Sequence, residues 1–107
     1  MIKMVALYRK PENPGEFDRR YFEEHLPLAR KMPGLRKLEV AKMSGAPQGE
    51  APYYMIAELY FDNMEALKTA MASEQGRAAA KDVMSFAKGI VEMMFAHVEE
   101  KAAVTVS

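Results

Sequence analysis

Residues 2–9, IKMVALYR, alternate at the period of a strand. Ile2, Met4, Ala6 and Tyr8 share one face; Lys3, Val5, Leu7 and Arg9 share the other. Both faces are largely apolar, so this strand calls for cover on two sides. KPENPG then breaks it, and Asn13 with Pro14 forms a helix start, a capping side chain followed by a residue that needs no N–H. Phe17, Tyr21, His25, Leu28 and Met32 recur every three or four residues and predict one apolar helix stripe over about 14–31. Pro27 interrupts it. A proline there deletes the bond to the Glu23 carbonyl at about 3 kcal/mol, so a kink near His25 is expected. Pro33 and Gly34 end the helix.

Residues 35–43, LRKLEVAKM, predict a second strand with Arg36, Leu38, Val40 and Lys42 on one face. SGAPQGEAP is a loop. Residues 53–61, YYMIAELYF, alternate most strongly, with Tyr54, Ile56, Glu58 and Tyr60 on one side. Asp62 and Glu65 make a capping pattern for a helix over about 63–73. Ser73 caps a further helical segment to about Ala87, and 90–98 predicts a fourth strand. The order strand, helix, strand, strand, helix, strand is the ferredoxin-like α+β arrangement, a four-stranded antiparallel sheet with helices on one face. The uncovered face is assigned Met4, Ala6, Tyr8, Ile56 and Tyr60. It is too apolar to stand in water, and a second copy is expected to cover it and close a two-subunit α+β barrel. Residues 1–99 form one domain; 100–107 read as a tail that dangles or pairs with a partner chain.

Composition narrows the partners. Fifteen basic residues balance fifteen acidic ones in 107, which argues against nucleic acid or an anionic membrane. No cysteine is present, so disulfides, thiolate metal sites and cysteine nucleophiles are excluded. No signal segment or membrane span is recognised at the sequence level, and a cytoplasmic location is expected.

The stretch EFDRRYFEEHLPLARKMPGL resembles the EthD family of the dimeric α+β barrel superfamily, through Phe17, Tyr21, His25, Pro27, Leu28, Pro33, Gly34 and Leu35. AELYFDNMEALKTAMAS is similar to that family's second half. The resemblance implies a ferredoxin-like subunit dimerising through its sheet. It implies no single reaction, since that superfamily includes lactone isomerases, cofactor-free oxygenases, decarboxylases and cyclases.

His25 is the leading candidate for chemistry, as a general acid or base titrating near neutral pH. The alternative is structural: its ring satisfies the carbonyl freed by Pro27. Glu58, set among aromatic residues, is a second proton-transfer candidate; alternatively it pairs with Arg36 or Lys42 across the sheet. Tyr8, Tyr21 and Tyr60 are candidates to orient a substrate, against the alternative of plain aromatic packing. Arg36 could hold a carboxylate or stand solvated at a strand edge. His25 and His97 show no metal-ligand spacing, and no glycine loop or axial-ligand motif signals a cofactor. Ten methionines suit adaptable core filling. Two functions stay open. One is cofactor-free catalysis by proton transfer on a small apolar or aromatic compound, in the manner of an isomerase, oxygenase or decarboxylase. The other is non-catalytic small-molecule binding, or an accessory role in a degradation or biosynthetic pathway.

Overall fold

The computed structural model describes residues 1–101 and 104. Residues 102, 103 and 105–107, most of the expected tail, lie outside the described residues. Four strands form one antiparallel sheet: β1 (Ile2–Tyr8), β2 (Lys37–Lys42), β3 (Met55–Phe61) and β4 (Val91–His97), in spatial order β2-β3-β1-β4. Helical segments α1 (Pro14–Arg19), α2 (Leu26–Ala29), α3 (Met64–Ala72) and α4 (Glu74–Ala87) accompany it, with a π-helical segment, Arg20–His25, joining α1 to α2. The expected α+β ferredoxin-like order is therefore present.

The pairing register fixes the faces and corrects the sequence assignment. Ile2 stands opposite Phe61, Met4 opposite Leu59, Ala6 opposite Ala57 and Tyr8 opposite Met55. These residues are buried or half-buried and form the face under the helices. Met4, Ala6 and Tyr8 thus belong to the covered face. The open face carries Lys3, Val5 and Leu7 of β1 beside Tyr60, Glu58 and Ile56 of β3. Alternation told the two faces of β1 apart but not which was which, because both are apolar; a one-residue slip exchanges them. The open face is mixed. Lys3 pairs with Glu58 and lies over the Tyr60 ring, 5.3 Å from its centroid, while Val5, Leu7, Ile56 and Met94 make an apolar half.

Asn13 caps α1 as expected, its side-chain oxygen accepting from the Glu16 N–H at 3.1 Å. Pro27 does disturb the helix, as a wide turn rather than a simple kink. The Leu26 N–H donates to the Tyr21 carbonyl, five residues back, the π pattern. The wide turn moves the buried stripe. Phe17, Tyr21, His25 and Ala29 are buried at a constant spacing of four, and Leu28 is only half-buried.

The next helix is capped one residue later than expected. Asn63, not Asp62, accepts from the Ala66 N–H at 2.8 Å, because Asp62 is engaged by Arg36. Ser73 ends α3 and caps α4, its hydroxyl accepting from the Gly76 N–H at 3.0 Å. The two helices meet so closely that a Cβ on Gly76 would lie 2.0 Å from the Ala70 carbonyl oxygen. Gly89, at φ +87°, turns the chain from α4 into β4, a conformation only glycine takes without strain.

Candidate functional site

An apolar cavity of about 80 Å³ lies between the covered sheet face and the helices. Met4, Ala6, Ala57 and Leu59 form its floor; Ala29, Met32, Ala79 and Val83 close it from the helix side. Met71 and Met93 also line it and are 39% and 44% exposed, which places them at its mouth. Three lining residues carry polar groups able to act on a substrate: Tyr8, Tyr21 and His25. A volume of this kind exceeds what one water needs several-fold.

The local fold explains why these three converge. Tyr8 is the last residue of β1 and points under the helices. Tyr21 and His25 stand one wide turn apart on the π-helical segment. Their rings form one cluster: Tyr8 and Tyr21 meet edge to face at 5.5 Å, Tyr21 and His25 lie at 5.3 Å, and Phe17 stacks on Tyr21 at 6.0 Å. Phe86 of α4 packs against the imidazole at 5.8 Å.

His25 is 7% exposed, and its Nδ1 lies 3.1 Å from Asp82 Oδ2. The structural alternative, in which the ring serves the carbonyl freed by Pro27, is not what is found; the partner is a carboxylate on α4. Asp82 Oδ1 accepts in turn from Arg20 Nη1 at 2.9 Å, and Arg20 Nη2 donates to the Ser85 hydroxyl at 2.8 Å. Burial lowers the His25 pKa below the usual imidazole value, and the hydrogen bond to the Asp82 carboxylate opposes that fall. The imidazole is therefore held neutral near neutral pH, its lone pair free of a proton. Burial pushes the Tyr21 hydroxyl up to about 12 and raises that of Tyr8 further, with the Tyr21 hydroxyl beside it adding to the rise. Both stay protonated at neutral pH; because the two hydroxyls bond each other, one of the pair is left to donate to a guest.

Of the residues singled out from sequence, His25, Tyr8 and Tyr21 come together. Glu58 and Tyr60 do not join them; they lie across the sheet on the open face. Glu58 is matched there by Lys3, not by Arg36 or Lys42, because Lys3 stands on the neighbouring strand of the same face. The Tyr60 hydroxyl donates to Glu39 at 3.3 Å. Arg36 is exposed and holds Asp62 through two hydrogen bonds, at 3.0 and 2.9 Å. His97 is exposed at the end of β4, and no group of three metal-ligating side chains converges among the described residues. Arg20 and Asp82 escaped the sequence reading. On an α-helix, five residues turn through about 500°, setting Arg20 and His25 about 140° apart; only the π turn stacks them toward one carboxylate.

The arrangement defines an α+β ferredoxin-like domain with an apolar chamber and one buried imidazole at its wall. The EthD domain model matches residues 9–90, and the chain belongs to the EthD family. An EthD family protein from Bacillus halodurans, known by crystal structure, is 42% identical, with a TM-score of 0.89 over 92% of this chain and 98% of that one. An uncharacterised 11.0 kDa protein from the thcB-thcC intergenic region of Rhodococcus erythropolis is 33% identical over 95 residues, 89% of this chain and 92% of its own. A dimeric ferredoxin-like protein of unknown function from Thermobifida fusca shares the fold at 15% identity, with a TM-score of 0.67 over 91% and 90% of the two chains. No helix among the described residues is long and apolar enough to cross a membrane.

Proposed function

We propose that the protein is a cofactor-free enzyme that moves a proton on a small, uncharged apolar or aromatic substrate. The observation that carries this is a buried, neutral imidazole with one nitrogen engaged by Asp82, lining an otherwise apolar cavity. Among the described residues no fully charged side chain lines that cavity, so an uncharged guest loses least on entry. His25 acts as the base. It takes a proton from an acidic C–H beside a carbonyl, and the electron pair moves onto the carbonyl oxygen. A tyrosine hydroxyl, Tyr21 or Tyr8, donates a hydrogen bond to that oxygen as charge gathers there. Where a carbon–carbon double bond adjoins that C–H, the electron pair spreads over it, and return of the proton to its far carbon completes an isomerisation with no net oxidation.

The open sheet face is read as the contact for a second copy. Val5, Leu7, Ile56 and Met94 supply its apolar half, the balanced net charge gives little repulsion, and the fold relative from Thermobifida fusca is dimeric. The second reading is a binding or accessory protein without chemistry, favoured by the methionines at the mouth, which suit a soft, adaptable binding wall.

The test is hydrogen–deuterium exchange at the α-carbon of 2-tetralone, a γ-lactone and a β,γ-unsaturated ketone, followed by NMR in D2O. Wild-type protein should accelerate exchange of at least one probe, and His25→Ala should lose about 10²–10⁴-fold. Equal rates for the two proteins would overturn the assignment. Binding of a probe with no exchange would instead establish the second reading.

A further inference from the structure

We propose that Asp82, itself held by Arg20, is a positioning residue that fixes His25 as the Nδ1–H tautomer, leaving the Nε2 lone pair for the substrate. This rests on the reading of His25 as the base. The argument starts from donors and acceptors. Arg20 carries only donors, and its Nη1 lies 2.9 Å from Asp82 Oδ1. A carboxylate such as that of Asp82 only accepts. Its other oxygen faces His25 Nδ1 at 3.1 Å, so that nitrogen must carry the proton. Nε2 accepts no hydrogen bond from any described residue.

Arg20 is itself fixed, by the Ser85 hydroxyl and by the Phe86 ring, 4.7 Å from its guanidinium carbon. Around the imidazole the titratable and charged groups are Asp82 from α4, Arg20 and Tyr21 from its own segment, and Tyr8 from β1. Glu24 is a more distant contact of Arg20 at 3.8 Å. The π turn serves this purpose: it is the device by which Arg20 and His25 reach the same carboxylate.

Asp82→Asn separates the role from a merely structural one. Arg20 still needs an acceptor, so the amide oxygen stays toward it and the amide nitrogen turns to His25. That nitrogen only donates, Nδ1 must then accept, and the proton moves to Nε2. Imidazole nitrogen shifts, measured by NMR on the folded protein, should show Nδ1–H in wild type and Nε2–H in the variant. With 2-tetralone as probe, kcat for exchange should fall about 10²-fold or more while KM stays within about twofold. The acidic limb of the pH profile should also move to lower pH, because the charge that supports protonated His25 is gone. Should Asp82→Asn fail to fold, the wild-type shifts alone decide: an Nε2–H signal there would overturn the proposal. So would a variant with the wild-type tautomer. Failure of the base assignment shows elsewhere, as absent exchange in a wild type whose tautomer is Nδ1–H.

Discussion

Replacing Gly76 with alanine sets two effects of opposite sign against each other. Gly76 lies in the first turn of α4, and on helix preference alone alanine should stabilise by about 1 kcal/mol. The geometry says otherwise. An added Cβ would meet the Ala70 carbonyl oxygen at 2.0 Å and the Met71 Cα at 2.9 Å, both backbone atoms of α3. No rotamer change relieves such a contact; one helix must shift from the other. Shifts of that kind cost about 1–3 kcal/mol in packed interiors, and more where backbone must move. The Ser73–Gly76 hydrogen bond and the Arg77 contact with the Ala72 carbonyl lie in the same junction and would be stretched with it. The net expectation is a loss of at least about 1 kcal/mol. For a domain of this size that lowers Tm by about 4–8 °C per kcal/mol. Thermal and urea unfolding of wild type and Gly76→Ala would measure it. A variant as stable as wild type, or more so, would refute the close crossing of α3 and α4.

The remaining predictions concern charge, the cavity and the open face. His25 has a lowered pKa when folded, so it binds fewer protons folded than unfolded and stability falls as pH drops below about 6.5 and through the folded value; His25→Gln should flatten that part of the urea-midpoint profile, and an unchanged slope would count against burial as the cause. Tyr21→Phe should change stability by no more than about 1 kcal/mol, yet slow probe exchange by up to about 10²-fold if its hydroxyl serves the substrate oxygen. Glu58→Gln and Arg36→Ala should leave exchange rates at the wild-type level, since neither residue lines the cavity; a large loss in either would return it to the site. Leu7→Lys places a charge in the apolar half of the open face, and sedimentation should then show a single copy with exchange retained.

The strands and helices were legible because their periods are strong. The β3 run alternates cleanly, the Asn13 and Ser73 caps stand where their side chains accept the first free N–H groups, and Pro27 announced an irregularity that is there. Faces were harder. In β1 the two alternating sets, Ile2 with Met4 and Tyr8 against Val5 with Leu7, differ little in hydrophobicity, so pattern alone could not say which met the helices. The error carried Glu58 and Tyr60 to the same side as Tyr8. The site was legible only as far as residues on one segment or in one contact cluster. His25 and Tyr21 are four apart, whereas Asp82 lies 57 residues beyond His25 on a helix whose pattern marks it as solvent-facing. Nothing in a one-dimensional period reports a contact of that separation.

The register also changes what the chemistry depends on. From the sequence, a chamber required a second copy to close over an apolar sheet face. In the structure the chamber is walled by one chain, between Met4, Ala6 and Leu59 below and Ala29, Met32 and Val83 above. The face available to a second copy is the other side of the same sheet. Along β1 the two roles alternate residue by residue: Ala6 and Tyr8 face the cavity, Val5 and Leu7 the open side. In the dimer proposed above, a copy on the open face would act on the imidazole through the sheet, by stiffening β1 and the aromatic cluster that Tyr8 anchors. A single copy, kept folded, would retain His25, Asp82 and the cavity in their places, so the proposed proton transfer is expected to persist in it.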